Sequence, residues 1–156
     1  MQTKILNLAK NIAIPLLVGA LAAVLTSDAM AAFETMNKPP LSPPGWLFPV
    51  VWTILYTLMG IAFFLVSEAD APKEQTDNAT VLYGLQLMVN FFWSILFFVF
   101  EWYFISFLWL ILLWLLIFFT ILSFSKISRT AAYLMIPYLL WVTFAGYLNL
   151  GIWLLN

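Results

Sequence analysis

The sequence predicts an all-α membrane protein, a bundle of five transmembrane helices. Of its 156 residues, 65% are hydrophobic and only 8% are charged, whereas soluble domains carry about 25% charged residues. The charged residues lie at the ends of five long apolar runs, and none lies in the middle of a run. Lipid is therefore the expected solvent of this chain.

Each apolar run is long enough to cross a bilayer as a helix. The runs fall near residues 8–27, 46–66, 80–100, 103–125 and 131–155. About 20 residues, at about 1.5 Å each, span about 30 Å of hydrocarbon. We expect them to form a single transmembrane domain over residues 1–156.

The first run also imitates a secretory signal. Lys4 and Lys10 precede the apolar stretch 12–25, and residues 29–31 read Ala-Met-Ala, like a cleavage site. Cleavage would leave a four-helix remnant, so we expect the run to stay as a transmembrane helix.

The connections between the runs differ in character. Residues 37–45 contain four prolines, which fix φ and lack an N–H, so a stiff, non-helical cover is predicted. Segment 67–80 is polar and acidic and should be the most mobile part of the chain. The turn at 101–103 is short enough to require an antiparallel helix hairpin.

Basic residues set the predicted orientation. Five spans place the termini on opposite sides of the membrane. The N-terminal side then carries Lys4, Lys10, Lys73, Lys126 and Arg129, and the other side carries Lys38. The positive-inside rule predicts a cytoplasmic N-terminus and an external C-terminus.

Composition also excludes several classes of function. A net charge of −1 with no basic patch excludes nucleic acid as a partner. The chain has neither Cys nor His, so we expect no metal site, no bound cofactor and no thiol or histidine catalysis. Ion-coupled transport is disfavoured because no charge lies inside a span.

Three polar side chains share one face of the third run. Gln86, Asn90 and Ser94 stand at i, i+4 and i+8, and lipid cannot satisfy them, so this face should point into the bundle. They either join helices by hydrogen bonds or line a cavity and contact a ligand. Trp93 and Phe97 flank the same stripe.

Aromatic rows occur in two other runs. Trp52 and Tyr56 stand four apart in the second run, and Trp141, Ala145 and Leu148 form a row in the fifth. Trp and Tyr are common at membrane interfaces, but Trp93 and Trp141 lie deeper, where an indole N–H needs a partner. Aromatic walls with a few polar tips suit a buried, planar, apolar ligand.

The chain resembles the translocator protein family, also called the tryptophan-rich sensory protein or peripheral benzodiazepine receptor family. The resemblance rests on the segments Lys38-Pro39, 42–46 (Ser-Pro-Pro-Gly-Trp) and 51–60, then Gln86, Asn90, Trp93-Ser94, Phe97-Phe98, 137–141 (Pro-Tyr-Leu-Leu-Trp), Ala145 and 147–149 (Tyr-Leu-Asn). It covers nearly the whole chain, in order.

The resemblance implies a dimeric five-helix bundle whose pocket, under the first loop, accepts porphyrins and benzodiazepine-like ligands. The residues it implies for ligand binding are Phe33, Pro43, Pro44, Trp52, Tyr56, Asn90, Trp93, Ser94, Phe97, Trp141, Ala145 and Leu148. Some bacterial members degrade porphyrin in light, and Trp52 and Trp141 match the tryptophans implicated there. Two family aromatics of the first loop are replaced, by Leu41 and Ala32.

Three hypotheses of function follow. The first is a membrane receptor that binds porphyrins for sensing, scavenging or transfer of tetrapyrroles. The second is an enzyme that degrades porphyrin with light and oxygen, using Trp52 and Trp141. The third is a regulatory membrane partner whose pocket holds lipid and whose acidic segment around residues 68–77 contacts another protein.

Overall fold

The computed structural model describes residues 2–156, apart from the side chains of Met30 and Ala32. The helices are α1 (Gln2–Leu25), α2 (Ser27–Thr35), α3 (Leu47–Ser67), α4 (Lys73–Ser94), a π-helical segment (Ile95–Val99) that continues α4, α5 (Tyr103–Ser125) and α6 (Arg129–Leu155). Within this described part, five helices are long and apolar enough to cross a membrane, taking α4 and the π-helical segment as one. The predicted fold class is confirmed.

The helix boundaries differ from the predicted ones at the polar ends. α4 begins at Lys73 rather than near residue 80, and Lys73 pairs with Asp77 across its first turn at 2.5 Å. Pro72 directly precedes this turn, and its ring fixes the backbone φ with which the chain enters α4. The polar segment 67–80, predicted to be mobile, is therefore helical except for residues 68–72.

A short helix precedes the proline-rich loop. α1 ends at Leu25 and α2 follows after Thr26, whose hydroxyl donates to the Ala22 carbonyl at 2.9 Å. Such back-bonding often bends helices, and here it occurs at the break between α1 and α2. Ala32, which replaces a family aromatic residue, has its side chain outside the described part.

The spanning helices pack in the order α1, α3, α6, α5 and α4, and α4 returns to α1 through a much lighter contact. Glycines allow the close approach of α1 and α3. Gly19 lies against the ring of Tyr56, and a Cβ at Gly60 would lie 2.5 Å from the Cα of Ile12. The bundle is thus tight along α1 and α3 and much looser between α1 and α4.

The proline-rich loop is non-helical, as predicted, and is attached to the end of α6. The Asn37 N–H donates to Asn156 Oδ1 at 3.1 Å, and Asn156 Nδ2 donates back to the Asn37 carbonyl at 2.9 Å. Tyr147 Oη donates to the Pro40 carbonyl at 2.8 Å. Leu41, where the family resemblance leads us to expect tryptophan, is 85% exposed and has a φ of 67°.

Candidate functional site

A cavity of about 580 Å³ lies between α1, α3 and the end of α4. α1 lines it with Leu16, Gly19, Ala20, Ala22 and Ala23, and Thr26 adds to this wall just after the end of the helix. α3 lines it with Phe48, Pro49, Trp52, Thr53 and Tyr56. α4 and the π-helical segment add Trp93, Ser94 and Phe98. The α1 wall is therefore made mostly of small side chains, and the facing walls are mostly aromatic.

The small α1 wall explains why the space is open. Ala20 and Ala23 are exposed and project only a methyl group, and Thr53 on α3 is exposed as well. Tyr56 and Trp93, on the facing walls, are buried. The cavity thus opens at the surface along α1 and α3 and reaches inward to an aromatic interior.

The Trp52 and Tyr56 rings stack with centroids 5.4 Å apart, and Trp52 meets Tyr138 of α6 edge-on at 6.1 Å. Tyr56 Oη donates to Asn90 Oδ1 at 3.1 Å, and Asn90 Nδ2 donates to Tyr138 Oη at 2.6 Å. Asn90 is buried behind the cavity. Its amide fixes the aromatic wall and joins α3, α4 and α6.

The polar stripe of the third run points into the bundle as predicted. Gln86 and Asn90 are buried, at 0% and 1% exposure, and Ser94 lines the cavity. Gln86 Nε2 contacts Met59 Sδ at 3.9 Å. Asn90 joins helices, as the first interpretation expects, while Ser94 faces the cavity and its contact with a ligand stays a prediction.

The indole of Trp93 is held by α6. Its N–H donates to Asn149 Oδ1 at 3.2 Å, which supplies the partner that a tryptophan this deep requires. Its ring stacks on Phe97 with centroids 5.6 Å apart. Phe97 therefore lies behind Trp93 as seen from the cavity.

Phe33 of α2 forms a second aromatic layer over this region. Its ring lies 5.7 Å from Phe48, 6.4 Å from Phe97 and 6.0 Å from Phe98. Trp141 of α6 also packs behind the lining, edge-on to Phe48 at 5.9 Å. Phe48 thus stands between Trp141 and the cavity.

The structure places four of the sequence-predicted ligand residues on the cavity: Trp52, Tyr56, Trp93 and Ser94. Eight do not line it: Phe33, Pro43, Pro44, Asn90, Phe97, Trp141, Ala145 and Leu148. The wall expected from α6 is supplied instead by α1, because Phe48 covers Trp141 while Ala145 and Leu148 are buried in the bundle. Ligand contact at these eight positions stays a prediction.

Sequence reasoning missed the α1 wall and Phe48. Small residues four apart, such as Gly19 and Ala23, indicate helix packing, and Gly19 does pack against Tyr56. The small residues that line the cavity on α1, Gly19, Ala20, Ala22 and Ala23, also leave the space. Phe48 could have been found, because it extends the row of Trp52 and Tyr56 by four residues.

Few polar groups in the cavity are free to bind a ligand. Thr53 donates to the Pro49 carbonyl at 2.7 Å, and Thr26 is bonded within its own helix in the same way. Among the described residues, neither the Trp52 indole N–H nor the Ser94 hydroxyl has a hydrogen-bond partner. None of the lining residues that the structure describes carries a charge.

These features define a class: a five-helix integral membrane protein with an aromatic cavity inside its bundle. Residues 11–154 match the family model of the TspO/MBR family, and the chain belongs to that family. It is 40% identical over 157 aligned positions to the tryptophan-rich protein TspO of Chlorobaculum tepidum, covering 100% of this chain and 99% of the relative.

Two further relatives extend the comparison. Protein CrtK of Rhodobacter capsulatus is 36% identical, with 88% of this chain and 85% of that protein covered. The translocator protein of Bos taurus is 31% identical, with 90% and 84% covered. Similarity along most of each chain supports the same multi-pass membrane architecture in all three.

Proposed function

We propose that this protein is a membrane receptor for porphyrins or similar planar apolar molecules, acting in tetrapyrrole sensing, scavenging or transfer. The observation that carries the proposal is a cavity of about 580 Å³ with tryptophan and tyrosine on two walls. Ligand sites commonly enclose about 300–1,000 Å³ and are mostly apolar, with a few polar groups that set orientation.

The chemistry of the lining suits a flat ligand. Trp52 and Trp93 offer ring faces, and an aromatic contact adds about 0.5–1.5 kcal/mol beyond the burial of area. Small α1 residues such as Ala23 leave room beside them. The free Trp52 N–H and Ser94 hydroxyl would hydrogen-bond polar atoms of the ligand, whereas the Asn90 amide is already occupied by Tyr56 and Tyr138.

The direct test is to fill the cavity from the α1 side. Ala23→Phe should weaken protoporphyrin IX binding at least about tenfold, because the new ring occupies the space beside the aromatic walls. Affinity is measured in detergent by quenching of the intrinsic fluorescence of the eight tryptophans. A tenfold change corresponds to about 1.4 kcal/mol.

The matched control is Val24→Phe, one position along α1, where the side chain is 71% exposed and does not line the cavity. This variant should bind porphyrin like the wild type. Binding by Ala23→Phe within about twofold of Val24→Phe would count against the cavity as the porphyrin site. A copurified lipid that porphyrin does not displace would instead favour the lipid-filled regulatory partner.

Light-dependent porphyrin degradation is a second candidate, favoured by the position of Trp52. Its ring lines the cavity and contacts Tyr56 and Tyr138, so Trp52 is placed to donate an electron to a photoexcited porphyrin, which passes that electron to oxygen. Loss of the visible porphyrin band under light and oxygen should slow in Trp52→Phe. Equal bleaching of free and bound porphyrin, with the same products, would reject the enzyme.

For its assembly we propose a homodimer in the lipid bilayer, as the family resemblance implies. The apolar surface toward lipid includes exposed side chains on α1, α4 and α5, such as Leu17, Met88 and Leu115.

A further inference from the structure

One buried amide joins three helices behind the cavity wall. Asn149 of α6 is 1% exposed. Its Oδ1 accepts the Trp93 indole N–H of α4 at 3.2 Å and lies 3.0 Å from Ser106 Oγ of α5. Its Nδ2 donates to the Tyr103 carbonyl of α5 at 2.7 Å. Both ends of the amide are therefore engaged.

Asn149 does not line the cavity, but Trp93 does. Ser106 and Tyr103 hold the amide in one orientation, because Oδ1 and Nδ2 have different partners on α5. The amide in turn fixes the direction of the indole N–H. The Trp93 ring is confined further by Phe97, which stacks on it at 5.6 Å, and by Phe98, which meets it edge-on at 6.2 Å.

We infer that Asn149 is a positioning residue for the ligand: it holds the Trp93 indole in place as a wall of the cavity without touching the ligand itself. This inference rests on the proposed function. With the amide removed, the buried N–H would lose its acceptor, and the ring would no longer be held in its position in the cavity wall. The flat wall would then be lost.

The arrangement also assigns different tasks to the two cavity tryptophans. The Trp93 N–H is occupied, so this residue offers a ligand only its apolar ring. The Trp52 N–H is free among the groups that the structure describes. A planar ring system should therefore pack on Trp93, while a hydrogen-bond acceptor of the ligand is directed to Trp52 and Ser94.

The test is a double-mutant cycle on the full-length protein with protoporphyrin IX as the probe. Asn149→Leu keeps the branched shape and the number of heavy atoms of the side chain and removes the acceptor, and should weaken binding about fivefold to tenfold. In a Trp93→Phe background, which lacks the N–H, the same substitution should cost less than about twofold. A residue that only supports folding would lower affinity equally in both backgrounds, and that result would overturn the inference.

Thr143→Val is the matched control. Thr143, also on α6, accepts the indole N–H of Trp114 at 2.8 Å, but neither residue lines this cavity. Thr143→Val removes the same kind of hydrogen bond, from an indole N–H to a side chain of α6, and should leave porphyrin affinity within about twofold of the wild type. Asn149→Ala replaces Asn149→Leu if that variant does not fold.

A measurement without ligand separates this inference from the proposed function. In protein labelled with 5-fluorotryptophan, the ¹⁹F resonance that disappears in Trp93→Phe belongs to Trp93. Asn149→Leu should shift and broaden that resonance while leaving those of the exposed Trp46 and Trp102 in place. An unchanged Trp93 signal would refute the positioning role, whereas absence of porphyrin binding by the wild type would refute the proposed function alone.

Discussion

At the residue scale, two glycines show how differently one residue type can be used in these helices. A Cβ at Gly60 would lie 2.5 Å from Ile12 Cα and 2.6 Å from the Asn11 carbonyl oxygen, both backbone atoms of α1. A Cβ at Gly84 would meet nothing within 4 Å. Gly60 is thus required for the approach of α3 to α1, and Gly84 is not required for packing inside the chain.

Gly60→Ala should therefore destabilise the protein by about 1–3 kcal/mol, because backbone atoms cannot move aside as a flexible side chain can. The measurement is the midpoint of thermal unfolding in detergent, followed by circular dichroism. Gly84→Ala is the control and should leave the midpoint unchanged or raise it, since alanine is the better helix former by about 1 kcal/mol. Equal midpoints for the two variants would contradict the close backbone contact between α1 and α3.

Single residues also differ in whether their place on the cavity can be predicted from the sequence. Trp52 and Tyr56 could be predicted because large aromatic side chains four residues apart share a helix face, and Ser94 because lipid cannot satisfy a hydroxyl. The α1 wall could not, because its contribution is the absence of side-chain volume. Small residues indicate close packing or open space equally well, and only the neighbouring helix decides between the two.

At the element scale, the apolar cores of the five spans could be predicted and their ends could not. Hydrophobicity marks the residues that lie in lipid, but α1 and α4 extend beyond it into polar sequence, to Gln2 and Lys73. Water-exposed helical turns need only backbone hydrogen bonds and a suitable cap. α2 was not predicted because a nine-residue helix is too short to produce a clear hydropathy signal.

The π-helical segment Ile95–Val99 was also unpredictable. The Phe100 N–H donates to the Ile95 carbonyl at 3.0 Å, five residues back, in a stretch where almost every side chain is apolar and no face is distinguished. Its effect is local: Phe97 is buried behind Trp93 while the next residue, Phe98, lines the cavity. Such segments occur frequently at functional sites, and here it adds a ring to the wall.

At the scale of the whole molecule, the cavity results from helix order. α3 packs against both α1 and α6, whereas α1 and α4 touch only lightly, and the space lies on that loose side. The local sequence indicates which face of a helix points into the bundle, but not which helix that face will meet. For this reason α6, rather than α1, was expected to form a wall of the cavity. The aromatic residues of α6 instead support the lining from behind through Tyr138 and Trp141.

The two ends of the bundle differ in charge, and the contacts show which segments share an end. Asn7 Nδ2 donates to Glu68 Oε1 at 2.9 Å, which places the α3–α4 loop beside the start of α1. Asn37 and Asn156 bond each other, which places the proline-rich loop beside the end of α6. Lys4, Lys10, Lys73, Lys126 and Arg129 therefore lie toward the first end, and Lys38 lies at the second.

This asymmetry predicts that the first end is cytoplasmic, because short basic segments resist translocation. Alkaline phosphatase folds to an active enzyme only after export. It should be active when fused after Asn156 and inactive when inserted in the α5–α6 loop, between Ile127 and Ser128. The insertion is the internal control, since it reports the opposite end of α6. Activity at the insertion and none after Asn156 would reverse the orientation and place the cavity, with Phe33 and the proline-rich loop beside it, on the cytoplasmic side.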